Sequence, residues 1–323
     1  MIRALISIGD PAGIGPEVSI KAVYELMKEG LRFIPVLVGD KSVIINTFEN
    51  LKIKKTKENV FLVDVPVIKN REFPKGKDSA LAGRASFSYL KKAWCLLKEN
   101  KGDCIITAPV SKKGWNLSGI SYHGHTEALS FFSKERTYML MTAGKIRVLL
   151  ATVHIPMGKI WRYLSRSNLS SAVKTTSEFL ARFFGIKNPH IAFCGLNPHA
   201  GESETLGKEE KTIITPVIKE LSKKGLNVSG PYPADTIFRN VIEKDNTDLI
   251  VSMYHDQALP VLKTLFFEKL VNITVNKTGW IRTSPGHGTA FDIAWKNKAC
   301  ASAMKEAIKT AVSLAERKQW THS

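Results

Sequence analysis

The sequence predicts an α/β protein: a two-lobed α/β/α sandwich whose sheet is mostly parallel with some antiparallel strands. Three observations carry that reading. Short apolar runs alternate with helical periods of roughly ten or more residues, the pattern of strands joined by crossover helices. Two of the runs are separated only by a turn around Gly144, too short a link for a parallel crossover. A length of 323 residues exceeds one typical domain and falls short of three, so two lobes around one active site are expected.

Taken in order, residues 4–8 read as a buried strand, followed by a helix over 17–29 begun near Pro16, where an early helical position needs no amide donor. A second strand at 33–38 leads to a helix over 41–50 with Asp40 as its cap. A third strand is expected at 59–65. The long helix over 79–99 has Ser79 or Asp78 to cap it. Residues 104–107 form another buried strand, and 138–142 and 148–153 are the pair around Gly144. A helix over 168–184 stops at Gly185, as a helix-ending glycine predicts. A strand at 191–194, a helix over 208–224 ending at Gly225, and a strand at 249–253 come next. An amphipathic helix over 299–317 closes the chain, which shows no internal repeat.

Composition excludes several classes. With 44% hydrophobic and 24% charged residues, the chain can bury a sizeable core. No apolar run approaches the roughly 20 residues needed to cross a bilayer. The opening MIRALISIGDPAG turns polar too soon for a signal peptide, so a cytoplasmic location is expected. Cys95, Cys104, Cys194 and Cys300 lie far apart and read as small core residues rather than disulfides. The net charge of +18 comes from scattered residues: Lys52, Lys54, Lys55 and Lys57 near one turn, Lys91 and Lys92, Lys223 and Lys224. No nucleic-acid-binding module accompanies them. A basic surface that attracts anionic metabolites is the better reading.

Three stretches share one layout. VLLATV runs into His154, IAFCG runs through Leu196–Pro198 into His199, and LIVSMY runs into His255. In open α/β sheets, ligands bind beyond the carboxyl ends of strands. Three histidines delivered there can converge on a metal ion, which commonly takes imidazole nitrogen. Alone, each would read as an ordinary loop or core residue. Their wide separation excludes a zinc-finger spacing and suits a catalytic site assembled from distant loops. The loop GDPAGIGPE at 9–17 lacks both the GxGxxG and the GK[ST] signatures; it reads as a phosphate cradle or as a tight turn needing close backbone packing. GHTE at 124–127 precedes a helix, with Thr126 either its cap or part of an anion site at the helix start. Lys263, Asn272 and Arg282 add cationic and polar groups, and IRTSPGHGTA at 281–290, with His287, reads as a further functional loop.

Together, GDPAGIGPE, GHTE, VHIPM, GLNPHAGE, GPYPADT, YHDQALPVLK, VNIT and IRTSPGHGTAFDIA resemble the 4-hydroxythreonine-4-phosphate dehydrogenase family, in family order from Gly9 to about Ala294. The resemblance implies the fold of the isocitrate and isopropylmalate dehydrogenase class. It implies one lobe over about 1–125 plus 275–323 and another over about 126–274, with the active site in the cleft between them. It also implies a homodimer that completes each site. By motif, the metal ligands are His154, His199 and His255, the last from the partner subunit. Substrate is met by His125, Thr126, Lys263, Asn272 and Arg282. Lys263, Asp235 and Asp256 are candidates for the general base. Gly286 stands where the family commonly has an acid, Trp295-Lys-Asn where it is often glycine-rich, and Lys277 and Trp280 where smaller or apolar residues are expected. These departures bear on cofactor contacts and loop shape more than on the metal ligands.

The implied reaction is oxidation of 4-phosphooxy-L-threonine at its C3 hydroxyl by NAD or NADP, in pyridoxal 5'-phosphate synthesis. One divalent ion per site is implied, zinc or cobalt before magnesium on the softness of imidazole. A dehydrogenase for threonate or erythronate 4-phosphate is the alternative. A non-catalytic metabolite- or nucleic-acid-binding protein is the remote one; no nucleic-acid or membrane partner is expected.

Overall fold

The computed structural model of the protein describes residues 1–53, 60–69, 72–244 and 246–320. Its contacts divide the chain into two compact units, Met1–Glu135 with Trp280–Ser323, and Arg136–Gly279. In chain order the first unit holds β1 (Arg3–Ser7), α1 (Gly15–Lys28), β2 (Ile34–Gly39), α2 (Lys41–Asn50), β3 (Phe61–Asp64), α3 (Ala80–Lys98), β4 (Cys104–Thr107), α4 (Lys112–Leu117) and α5 (His125–Ser133). The second holds β5 (Tyr138–Ala143), β6 (Ile146–Leu150), α6 (Ile160–Tyr163), α7 (Arg166–Phe179), β7 (Ile191–Cys194), α8 (Thr215–Lys223), β8 (Val228–Tyr232), α9 (Ala234–Lys244), β9 (Leu249–Ser252), α10 (His255–Phe266) and β10 (Val271–Val275). The chain then returns to the first unit with β11 (Arg282–Pro285) and α11 (Ser302–Trp320).

In the first unit the strands lie in the order β3-β2-β1-β4-β11, and every pairing is parallel. A parallel sheet is covered on both faces, which is why β1 and β4 are almost continuously apolar and buried. Leu5, Val36, Val38 and Ile105 pack under Leu90, Ala93 and Trp94 of α3. Each such buried aliphatic side chain contributes roughly 1.5–3 kcal/mol relative to exposure. Ala4 and Ile6 alternate with Leu5 and face the other way. There α11 lies along β4 and β11 and against α1. Thr283 Oγ1 ties β11 to α11 by donating to the Ala307 carbonyl at 2.8 Å.

In the second unit the order is β10-β5-β6-β9-β7-β8. β5 runs against both neighbours, while β6, β9, β7 and β8 are mutually parallel. The antiparallel character is thus confined to the turn at Gly144 (φ +59°) and the return of β10. One core joins Met139, Met141, Val148, Leu150 and Ile250 to Phe238 of α9 and Leu259 and Leu262 of α10. α7 covers β5, β6 and β10 with Leu169, Val173 and Phe179.

Several expectations are corrected. Asp40 precedes α2 but its side chain does not cap it. Its carboxylate instead accepts from the amides of Val67 and Ile68, both at 2.9 Å, from Lys69 at 3.3 Å and from the Tyr89 hydroxyl at 2.9 Å. The loop after β3 offers more donors than the helix start does. Burial and then Asp40 push the Tyr89 phenol up. Ser79 caps α3, accepting from Ala82 N at 3.1 Å. The helix expected over 168–184 is α7 continued by a wider π turn at Leu180–Phe184, closed by Gly185 at φ +74°. Likewise Glu210–Ile214 form a π turn before α8. Asn59 of the third strand, and Lys54, Lys55 and Lys57, lie outside the described residues. Of the cysteines, all free, Cys104 and Cys194 are core residues and Cys95 is half-buried, but Cys300 is exposed and donates to Ser302 Oγ at 3.2 Å.

Candidate active site

In the second unit, β6, β9 and β7 are neighbours and parallel, so their carboxyl ends emerge side by side. His154 follows β6, His255 follows β9 and His199 follows β7. The rings of His154 and His255 lie with centroids 5.8 Å apart. Two imidazoles on one tetrahedral ion, with nitrogen–metal distances of about 2.1 Å, would place their centroids roughly 5 Å apart. The pair within one chain is close to that spacing. His199 does not join it: among the described residues, no three His, Cys, Asp or Glu side chains are grouped to hold a metal. His255 Nδ1 lies 2.6 Å from Asp256 Oδ1. With Nδ1–H donated to that carboxylate, Nε2 presents its lone pair outward, the arrangement by which carboxylates orient metal-binding histidines.

His199 stands on an unusual turn. From His199 to Glu204 every φ is positive, between 38° and 84°, and Gly201 is the glycine among them. Left-handed backbone costs roughly 1–2 kcal/mol for each residue with a Cβ, so something must hold it. Buried Glu210 does so. Its Oε1 accepts from the amides of Leu196 (2.7 Å) and Asn197 (2.8 Å), and its Oε2 from Asn197 Nδ2 (2.9 Å). Asn197 Nδ2 also donates to Glu209 Oε2 at 2.8 Å, which holds that carboxyl below its ordinary range.

Of the remaining second-unit candidates, Asn272 lies on β10 opposite Met141, and its Oδ1 is buried without a hydrogen-bond partner among the described residues. A ligand donor would satisfy it. Lys263 is exposed on α10, about two turns beyond His255. Asp235 is exposed in the first turn of α9, which packs against the 198–204 turn.

In the first unit His125 opens α5, and the cap position belongs to Gly124 (φ +146°); Thr126 is in the first turn, not the cap. The His125 ring meets Trp115 edge-on at 5.8 Å, and its Nε2 is buried without a hydrogen-bond partner among the described residues. Burial, and then the charge of Arg282, hold its pKa well below the ordinary value, so the ring is neutral. Arg282 is buried at the start of β11 and donates from Nε (3.0 Å) and an η nitrogen (2.6 Å) to Thr107 Oγ1 at the end of β4. Burial pushes its pKa down to about 9, which leaves it cationic at neutral pH. A buried guanidinium beside a helix start and a neutral imidazole suits an anionic group.

The 9–17 loop takes its packing reading rather than the phosphate one. Amides of Asp10 and Ile14 donate to the carbonyls of Pro109 (2.9 Å) and Thr289 (3.0 Å), that of Gly13 to Asp10 O (3.0 Å), and Ala12 N to Asp10 Oδ1 (2.9 Å). A Cβ at Gly15 would lie 2.4 Å from Ile8 O. The departures from the family pattern are packed elements. Trp295, at φ +62°, donates from its indole to Pro11 O at 2.9 Å and carries the Lys75 ammonium 4.1 Å above its ring. Trp280 packs edge-on against Trp94 at 5.2 Å and donates to Glu135 Oε1 at 3.1 Å. Sequence reasoning missed Gln257, Glu210 and Thr152. The sole signal was their company: Gln257 sits in YHDQ beside a histidine already singled out.

Comparison with known proteins shows what the chain as a whole is similar to. The family model for the pyridoxal phosphate biosynthetic protein PdxA matches residues 32–311. A 4-hydroxythreonine-4-phosphate dehydrogenase of Sulfurihydrogenibium sp. is 37% identical over 97% of this chain and 98% of its own. A D-threonate 4-phosphate dehydrogenase of Salmonella typhimurium is also 37% identical, over 96% and 98%. The crystal structure of 4-hydroxythreonine-4-phosphate dehydrogenase from Klebsiella pneumoniae, 33% identical, superposes with a TM-score of 0.83 over 97% of this chain and 99% of that one. The fold is that of these dehydrogenases, an oxidoreductase activity follows, and a dehydrogenase of this kind requires a nicotinamide cofactor. Matched by the family model over most of its length and by relatives over nearly all of it, the chain belongs to the PdxA family of pyridoxal phosphate biosynthetic proteins.

Proposed function

We propose that this protein is the NAD- or NADP-linked, divalent-metal-dependent dehydrogenase that oxidises 4-phosphooxy-L-threonine at C3. The product, 2-amino-3-oxo-4-phosphooxybutanoate, is a β-keto acid that loses carbon dioxide to give 3-amino-2-oxopropyl phosphate. The observation that carries the reading is the placement of His154, His199 and His255 after three neighbouring parallel strands. In this reading His154, His199 and His255 hold zinc, cobalt or magnesium, and Asp256 orients His255. When bound, that ion lowers the pKa of the C3 hydroxyl and polarises the ketone formed from it. A bound nicotinamide would supply the hydride acceptor.

The protein's own groups bind and position. Arg282, His125, Thr126 and Lys263 supply charge and donors for the substrate's anionic groups, and the buried Asn272 Oδ1 accepts from a substrate donor. Asp256 is committed to His255, which leaves Lys263 and Asp235 as candidates for the hydroxyl proton. Each site is completed in a homodimer, in which His255 is supplied by the partner subunit. Exposed Met157, Trp161 and Tyr163, just after His154, support a second copy covering this segment. The reading places the enzyme in the cytoplasm; among the described residues no helix is long and apolar enough to cross a membrane.

The test is to strip and restore divalent metal and follow reduced cofactor with 4-phosphooxy-L-threonine, NAD and NADP in separate arms. Metal-dependent turnover that collapses in His154→Ala, His199→Ala and His255→Ala is expected. D-threonate 4-phosphate forms the second arm, because a relative named for that substrate is equally similar. Turnover there alone keeps the chemistry and changes the substrate. Silence on both, with metal bound, sinks the proposal.

A further inference from the structure

We infer that Thr107 is a positioning residue whose hydroxyl aims the Arg282 guanidinium at the anionic group of the substrate. The inference rests on the reading above, in which Arg282 meets that group. Thr107 closes β4 and is fully buried. Its Oγ1 accepts from Arg282 Nε at 3.0 Å and from an η nitrogen at 2.6 Å. Those two N–H groups leave the guanidinium along one edge, so one oxygen bonded to both fixes the plane of the group as well as its place. Both residues belong to the first unit of one chain, so the tie holds whichever copy supplies the rest of the site.

Strand register puts them together. Leu5 of β1 and Ile105 of β4 pack under α3. Side chains two apart on a strand share a face. Ser7 and Thr107, paired in register two residues further on, therefore end that apolar face with two hydroxyls. Arg282 pairs with Ile105, while Thr283, the next residue, points the other way and bonds to α11. Ser7 Oγ is buried without a hydrogen-bond partner among the described residues. A face built for stability alone would end in apolar side chains, because a buried polar group is costly unless bonded.

The chemistry of the anchor is selective. A carboxylate would grip the guanidinium more strongly, but it would also cancel the charge offered to an anionic ligand. A hydroxyl accepts through its lone pairs and carries no charge, so it sets direction and leaves the field in place. That field reaches the neighbouring candidate: burial, and then the charge of Arg282, hold the His125 pKa down.

The test uses the full-length, metal-loaded protein. KM and kcat for 4-phosphooxy-L-threonine are measured beside the affinity for it without nicotinamide, by calorimetry; D-threonate 4-phosphate takes its place if only that compound is turned over. Thr107→Val keeps the shape and loses the acceptor, and Thr107→Ala is the second probe, should the first not fold. Thr107→Ser restores the hydroxyl. Thr283→Val, which removes a buried hydroxyl from the opposite face of β11, is the control. In the probes KM and the dissociation constant should rise roughly tenfold, as for a lost bond to a charged group, with kcat changed less. Serine should recover most of that loss. In an Arg282→Met background the Thr107 change should add nothing, because residues that act as one unit are not additive. The control should lower the melting temperature and leave KM unchanged. Wild-type KM in the probes, an equal loss in the control, no rescue by serine, or a full further loss in the Arg282→Met background overturns the positioning role while turnover of the wild type stands. Wild-type affinity in Arg282→Met itself overturns the reading on which the inference rests. A wild-type protein silent on both four-carbon phosphates overturns the proposed function and this inference together.

Discussion

Asp10 is fully buried; its Oδ1 accepts from Ala12 N at 2.9 Å, and its Oδ2 has no hydrogen-bond partner among the described residues. Burial lifts the carboxyl from its ordinary 3.8 to about 6, Asp78 adding to the rise and the amides of Ala12 and Ser111 opposing it. The folded protein therefore binds this proton more tightly than the unfolded chain. Its stabilising effect is full below pH 3.8 and is lost as pH rises through about 6, with no further change above. A difference of roughly two pH units at 1.36 kcal/mol each sets a ceiling of about 3 kcal/mol. Asp10→Asn keeps the acceptor for Ala12 and removes the charge. It should stabilise the protein by about 1–3 kcal/mol at pH 7.5, reduced because the new amide is itself a buried donor. Near pH 4 the gain should vanish. The measurement is the urea midpoint of variant and wild type from pH 4 to 8. The pH dependence of their difference is read, because two compact units need not unfold as one. A difference that does not vary with pH would refute the reasoning, since it would show that no cost attaches to ionising the buried group.

Two further changes follow from packing and charge. Gly83→Ala places a Cβ 2.0 Å from Gly114 O where α3 meets α4, and should cost at least the 1–3 kcal/mol usual for overpacking, read as a lower melting temperature; an unchanged one would show that the helices separate freely. Arg282→Lys keeps the charge but loses the fork that grips Thr107, so KM for the phosphorylated substrate should rise about tenfold with kcat changed less; an unchanged KM would remove Arg282 from substrate binding.

The elements legible in the sequence are those whose side chains are decided by burial alone. β1, β2, β4, β7 and β9 are apolar and lie within a residue or two of the expected ranges. The strands that escaped are polar for a physical reason. β11 reads RTSP and opens with the buried Arg282, while β10 reads VNITV and carries Asn272. β8 contains a Gly-Pro pair, which reads as a loop, and it survives because it lies at the sheet edge. Strand-forming backbone and site-forming side chains compete for the same positions, and a pattern based on hydrophobicity hears only the first.

The histidine site divides along the same line. That each histidine follows a buried strand is local information, available from the order of residues. Which histidines meet is not, because it depends on β9 being inserted between β6 and β7 although both precede it in the chain. This insertion makes β9 the shared neighbour. It sets His255 beside His154, and it lets Gln257, in the first turn of α10, reach Gly195 across 62 residues of sequence. The left-handed turn at His199 was hidden for a related reason. One glycine among six residues at positive φ gives no local preference for that conformation, so it is imposed from outside by Glu210. A side chain that holds a turn from a distance leaves its trace in hydrogen bonds between distant segments, and those exist only once the topology is known.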